Sequence, residues 1–363
     1  MTAKAKTILA SALVLALAAG GLFRATRTFV DPVLYGNAMG TTFAVTLPGH
    51  VDKGKLQRTY LAIVETLDRV ENEMSPWRPE SEISRFNRFS ETGVPFRVSS
   101  PFVAVVRNAL RRAKQTDGAF DPTLKPLLDL WGFGSSSALQ NGRFRTPTPE
   151  RIAAAKARTG PEKLVINDAD HLSKAIPGLQ LDLGAIAKGY GVDAIARRLR
   201  ERDCENFFVE VGGEVVAQGH NPRGEAWRIG IQYPSLDPNE DRLFGILRLT
   251  RGAVATSGDY RNYVRDETGH IRTHILDPRS GMAIHSDLAS VSVLADDCMD
   301  ADAIATALFV MGPEEGMRWT ERHPGVEALF LVRSTNGKIR PFFSSGFEKA
   351  TRYTSIPLKD SSK

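Results

Sequence analysis

Asp302 and Thr306 stand four positions apart in a stretch, residues 296–312, that begins with a cluster of acids. On a helix four positions make about one turn, so a carboxylate and a hydroxyl share one face. Hard oxygens of this kind suit Mg²⁺, which is typically held by one or two protein carboxylates and the phosphates of a substrate. The plainer alternative is an acid bias that complements the positive end of a helix dipole. The flanking sequence supplies the elements that must hold the pair. Ala289 to Ala295 is apolar and predicts a buried strand. The helix that follows should stop at Gly312-Pro313, a glycine-then-proline terminus.

Other chemistry-bearing residues lie in turns. Residues 181–191 contain Asp182, Lys188 and glycines 184, 189 and 191. Glycine lets a backbone approach a ligand closely, and a helix start offers unpaired amides to an anion. Lys188 has the charge to meet a phosphate. The glycine order matches neither a phosphate-loop nor a dinucleotide-binding fingerprint. Ordinary tight-turn glycines are the rival reading. Trp77 and Phe120 sit in loops beside proline and aspartate, where an aromatic ring can stack on a flat ligand or anchor the loop to the core. Asp121 and Asp182 have the chemistry to accept ligand hydrogen bonds, or only to close turns. His274 is read on an apolar strand just before a sharp turn. There it is either a proton-transfer group or a satisfied core histidine. No Gly-x-Ser-x-Gly elbow is present, so a hydrolase triad has no support.

Composition is that of an ordinary globular protein, with 363 residues, 42% hydrophobic and 25% charged. The net charge of +5 is spread along the chain, without the basic and aromatic clustering of a nucleic-acid binder. Lys4 and Lys6 precede an uncharged run from Thr7 to Phe23, and Arg24 and Arg27 follow. Residues 1–24 therefore read as a secretory signal or an uncleaved membrane anchor, and both place the body outside the cytoplasm. Residues 25–34 read as a linker, 35–345 as the folded body and 346–363 as a C-terminal tail. Cys204 and Cys298, the only cysteines, leave a disulfide open.

Periodicity predicts helices over 54–74 and 100–116. The first should bury Leu56, Leu61, Val64, Leu67 and Val70. Residues 134–149 read as an exposed loop. The second half reads as short strands: 179–183, 207–211, 227–232, 243–249 and 252–256, with a helix from about Val192 to Arg202. Helices early and strands later point to an α+β fold.

In this order the motifs resemble those of the ApbE family, the FAD:protein FMN transferases. The matching segments are Met39-Gly40-Thr41, Met74-Ser75-Pro76-Trp77 with Ser81-Glu82-Ile83-Ser84, and Gly118-Ala119-Phe120-Asp121-Pro122. Beyond them come Leu181 to Gly189, Val211-Gly212-Gly213, Thr256-Ser257-Gly258, His274 to Pro278, and Ala301-Asp302-Ala303 through Thr306. The resemblance implies an α+β fold of ApbE-like (T-fold-like) mixed sheets with packed helices and a ligand cleft between the two halves. It also implies a reaction. The FAD pyrophosphate is cut, FMN is attached through a phosphoester to a Thr or Ser of a partner flavoprotein, and AMP leaves.

By resemblance, Asp302, Thr306 and the Ala185 carbonyl hold Mg²⁺. Met39, Trp77, Ala119, Phe120, Asp121, Asp182, Lys188 and Ile275 contact FAD, and His274 helps move the proton. Lys188 departs from relatives that carry an acid there. The absence of a lipidated cysteine near residue 20 departs from relatives that are lipoproteins. Acceptors in such families are subunits of membrane or periplasmic electron-transfer systems. An Mg²⁺-dependent FAD pyrophosphatase and a non-catalytic periplasmic FAD-binding protein are the alternative functions.

Overall fold

The computed structural model describes residues 32–49, 52–134, 146–237, 240, 242–260, 263–265, 271–334 and 337–357. Residues 1–24, read as a signal or anchor, residues 25–31 of the predicted linker and most of the predicted loop at 134–149 lie outside the described residues, while Val33 and Leu34 of that linker already belong to a strand. Among the described residues no helix is long and apolar enough to cross a membrane.

An eight-stranded antiparallel sheet forms the middle layer. Its strands are β1 (Val33–Ala38), β2 (Thr41–Thr46), β3 (Phe207–Val211), β4 (Glu214–Gln218), β7 (Arg251–Gly258), β8 (Leu288–Ala295), β9 (Glu327–Arg333) and β10 (Ile339–Phe343), and they lie side by side in that order. Strands β5 (Trp227–Gln232) and β6 (Leu243–Leu249), with the short β11 (Thr354–Ser355), make a separate three-stranded sheet. The central strands are buried on both faces, which explains their near-continuous apolar runs. Val215 and Ala217 of β4 pack with Trp227, Ile229 and Leu247 of the small sheet. Val216 faces the other way, toward the helices.

The helical layer contains α1 (Lys53–Met74), α2 (Glu82–Arg88), α3 (Ser100–Gln115), α4 (Ala187–Arg200) and α5 (Cys298–Glu321). Asp52 caps α1 by accepting from the Lys55 amide at 3.1 Å. Its buried stripe runs through Thr59, Ile63, Leu67, Val70 and Met74. Leu61 and Val64, predicted to lie in that stripe, face solvent at 50% and 37% exposure. They are rotated off the 59–63–67 line, so α1 buries less of its apolar content than its sequence suggests.

Two further expectations change, and a third holds. Residues 179–183 make no sheet ladder. Asn87 brackets them instead: its side-chain oxygen accepts from the Leu181 amide at 2.7 Å, and its amide donates to the Leu181 carbonyl at 2.8 Å. A side chain thus does the work of a neighbouring strand. The 346–363 segment is not a loose tail, since Phe347–Thr351 is a helix, α6, and β11 pairs with β6. Phe347 is fully buried against Phe343 and Tyr353. The body therefore extends to at least residue 355. Finally, α5 breaks where predicted: Gly312 leaves the helical conformation (φ 77°) and Pro313 begins a second segment.

The register aligns Val33, Thr46, Phe208, Ala217 and Gly252 in one row at one end of the large sheet. The opposite end carries the turns Met39-Gly40 and Gly212-Gly213, and the Ser257-Gly258 end of β7. Both two-residue turns have φ > 0 at each central residue, the hairpin geometry that suits twisted strands.

Candidate active site

The site is built where α4 meets α5, beside the Gly212-Gly213 end of the sheet. Strand β8 carries the chain to Asp297, whose carboxylate caps α5 by accepting from the Asp300 amide at 2.8 Å. Asp300 turns away to α3, where Arg112 and Asn108 hold it. Asp193 of α4 accepts from the Cys298 and Met299 amides at 3.0 and 2.8 Å and satisfies two more donors of the helix start. Most of the acid cluster therefore organises the helix start. Asp302 is the member that faces the first turn of α4.

Asp302 is only 4% exposed. One carboxylate oxygen accepts from the Gly189 amide at 3.0 Å, and the other lies 3.9 Å from the Lys188 ammonium. Burial pushes its carboxyl above the usual carboxylate range, against the opposing pull of Lys188 and the Gly189 amide. Lys188 also pairs with Glu214 at 2.5 Å. One turn after Asp302, the Thr306 hydroxyl hydrogen-bonds the Ser257 hydroxyl at 3.1 Å.

The glycines at 189 and 191 were read as part of a loop, but α4 starts at Ala187, five residues earlier than expected. Gly189 is there for contact: a Cβ on it would sit 2.2 Å from the Cys298 carbonyl oxygen. Gly191 makes room for the Met39 thioether. Met39 itself occupies the left-handed region (φ 53°), and its amide donates to Glu71, which pairs with Arg78 at 2.5 Å. The first turns of α4 thus join Met39 to Lys188 and Asp302.

A second group of predicted residues gathers around the bracketed 179–183 segment. The Asp182 amide donates to the Pro122 carbonyl at 2.8 Å and ties this segment to the 118–122 turn. Ala119, Phe120, Leu181, Leu183, Ile186 and Ile275 share one core cluster. Burial raises the carboxyls of Asp121 and Asp182; the Thr123 hydroxyl and amide oppose this at Asp121, and the Gly184 amide does so at Asp182. Phe120 is only 4% exposed, so its ring anchors the loop and offers no face for stacking. Trp77 is 69% exposed and keeps its ring open.

His274 is half-buried and lies after the strand Ile271–Thr273 rather than within one. The Thr273 hydroxyl interrupts the strand by bonding both the amide and the carbonyl of Ile275, each at 3.1 Å. Cys204 and Cys298 are free thiols.

Sequence reasoning missed Glu214, Asp193 and Glu71, the acids that hold Lys188, the α5 start and the Met39 turn. An acid directly after the Gly212-Gly213 turn and before Val215-Val216 was the available signal for Glu214. Nearby, Glu73 is buried at the end of α1, and burial and Glu82 raise its carboxyl from 4.5 to about 7. The folded state therefore favours the protonated form. Stability from this group is full below about pH 4.5 and is lost as pH rises through about 7. Glu73→Gln should leave the melting temperature unchanged at pH 4 and raise stability by about 1–3 kcal/mol at pH 8. Thermal melts at the two pH values check this, and an equal effect at both would rule it out.

The donor set fits a hard cation. In a regular helix the Gly189 amide would bond the Ala185 carbonyl, but here it bonds Asp302 instead. Ala185 lies two residues before the start of α4, and the side-chain oxygens on the facing part of α5 are the Asp302 carboxylate and, one turn on, the Thr306 hydroxyl, all hard donors.

The chain is similar to known proteins over most of its length. The model of the ApbE family matches residues 39–330. The FAD:protein FMN transferase of Vibrio cholerae is 41% identical over 318 residues, covering 87% of this chain and 91% of that protein. The Escherichia coli K12 protein of the same name is 32% identical, covering 87% and 88%. Among solved structures, the flavin transferase ApbE of Vibrio cholerae superposes with a TM-score of 0.76 at 39% identity, over 88% of this chain and 99% of that one. The apo flavinyl transferase ApbE of Pseudomonas stutzeri gives 0.78 at 34% identity, over 90% and 99%.

Proposed function

The chain belongs to the ApbE family and is an enzyme of the FAD:protein FMN transferase class, and on that premise we propose that it joins FMN through a phosphoester to a Thr or Ser of an acceptor flavoprotein, with Mg²⁺ as its metal. The acceptor oxygen forms a bond to the phosphorus on the FMN side of the pyrophosphate. The bond from that phosphorus to the bridging oxygen breaks, and AMP leaves. The single observation that carries this reading is the Asp302 carboxylate, buried against the first turn of α4 with Lys188 3.9 Å away.

In this reading Asp302, Thr306 and the Ala185 carbonyl hold Mg²⁺, which when bound offsets pyrophosphate charge. Lys188, held by Glu214, supplies a fixed positive charge for the phosphates. Asp121 and Asp182 accept hydrogen bonds from FAD, and the Trp77 ring covers a flat part of it. Met39, Ala119, Phe120 and Ile275 shape the walls. His274 takes the proton of the acceptor hydroxyl, because Asp297 and Asp300 are committed to the helix cap and to Arg112. The basic-then-apolar sequence of residues 1–24 supports a reaction on the far side of the cytoplasmic membrane, on acceptors of an electron-transfer system.

Incubation of the purified protein with FAD, Mg²⁺ and a Thr-bearing acceptor domain tests the proposal by intact mass. The acceptor should gain one FMN phosphoester, and a chelator should abolish the gain. Free FMN and AMP without any gain, across acceptors of this class, would overturn the transferase step. Transfer unaffected by a chelator would overturn the metal.

A further inference from the structure

We propose that the outer face of the three-stranded sheet binds a phosphate-bearing anion through Arg228, Arg248 and Arg352. This site is separate from the flavin site and does not depend on the reading above. A cavity of about 590 Å³ opens on this face, lined by the three arginines together with His220, Glu225 and Thr250.

The sheet register lines the arginines up. Trp227, Ile229 and Ile231 of β5 point into the core, so Arg228 points outward. It pairs directly with Arg248 across the strands. Thr354 pairs with Ile246, so two residues earlier Arg352 comes level with Arg248. The Arg248 guanidinium donates to the Arg352 carbonyl at 3.3 Å and to the Thr354 hydroxyl at 2.7 Å. Three arginine positions thus line one row across strands about 4.8 Å apart, and all three side chains line the cavity.

Like charges directly opposite one another cost stability in a sheet. No carboxylate pairs with any of the three among the described residues; Glu225 is the one acid in the lining. The row is also built with care. Tyr353 packs over Gly245, where a Cβ would lie 2.2 Å from its ring, and meets the rings of Phe343 and Phe347 at tilted angles of 54° and 56°. That contact seats the C-terminal segment and delivers Arg352, itself in the left-handed region (φ 47°), to the row. Guanidinium groups in a planar row match the oxygens of a phosphate or diphosphate.

The cavity residues His220 and Thr250 follow the Ala217–Gly252 end of the large sheet, opposite the Gly212-Gly213 end. Val33, where the body begins, shares this end. Phosphate at this position therefore has two sources, a soluble anion or the headgroup of an anionic lipid.

Both sources are tested with the full chain. Inorganic pyrophosphate is titrated calorimetrically in EDTA, and vesicles of phosphatidylglycerol are compared with vesicles of phosphatidylcholine. The Arg228→Gln/Arg248→Gln double variant should lose pyrophosphate affinity at least ten-fold, or lose the preference for phosphatidylglycerol, whichever the wild type shows. Thr250→Glu, which adds an acid to the lining and removes no packing, should weaken the same response. Asp302→Ala should retain it. Pyrophosphate binding without a vesicle preference assigns a soluble anion; a vesicle preference lost with the arginines assigns the headgroup. Wild-type behaviour in the double variant, no response to either probe, or loss of binding in Asp302→Ala would each overturn the site.

Discussion

Asp302→Ala should abolish flavin transfer while the fold survives. The side chain is almost fully buried, and its charge is offset only by Lys188 and one amide. Removing a buried carboxylate relieves its desolvation cost but leaves the Gly189 amide without its acceptor, so the two effects oppose each other and the melting temperature should shift by only a few degrees. The catalytic loss is much larger. Without the carboxylate, the metal-holding set and the anchor of the Gly189 amide disappear together. A loss of about 4 kcal/mol of transition-state stabilisation corresponds to roughly a thousand-fold in rate. Asp302→Asn separates the two roles, since it keeps an acceptor for the amide and loses the charge. Both variants should be inactive in the intact-mass assay, and neither should be stabilised by Mg²⁺ in a thermal melt. Full transfer by Asp302→Ala at low Mg²⁺ would sink the metal assignment.

Gly189→Ala should damage both stability and transfer. Alanine normally stabilises a helix interior relative to glycine by about 1 kcal/mol. Here its Cβ would lie 2.2 Å from the Cys298 oxygen and 2.8 Å from the Met299 Cα, both backbone atoms. Backbone cannot swing aside, so α4 and α5 must part. Overpacking of this kind costs about 1–3 kcal/mol and occasionally more. The same separation stretches the bond from the Gly189 amide to Asp302. Gly191→Ala is the natural comparison, because its added Cβ would meet the Met39 sulfur at 2.9 Å, the end of a flexible side chain. Gly189→Ala should melt several degrees lower than Gly191→Ala. Equal melting temperatures would mean that the two helices accommodate the methyl group without moving.

The parts of the fold legible in the sequence are those set by local pattern. Leu288–Ala295 is a strand because its apolar run is buried on both faces, and Gly312-Pro313 ends a helical segment because no other pair does so more firmly. The Asp302–Thr306 face followed from helix geometry alone. What stayed hidden depends on contacts between distant segments. Gly189 and Gly191 looked like loop residues because their reason for being glycine lies in Cys298 and Met39. Residues 179–183 looked like a strand because nothing local shows that Asn87 would take the place of a ladder partner. For Phe120 the sequence left stacking and core anchoring both open, and the choice is made by Leu181 and Ile275, far along the chain, which share its core cluster. The C-terminal segment gave no sign that it would complete a sheet with β6.

The bond between Gly189 and Asp302 spans 113 residues. A ribosome must therefore release most of the chain before the two groups can meet. Products terminated before α5 would carry the FAD-facing segments and leave the FAD pool untouched. Activity of this enzyme should appear late in its biogenesis and in a single step.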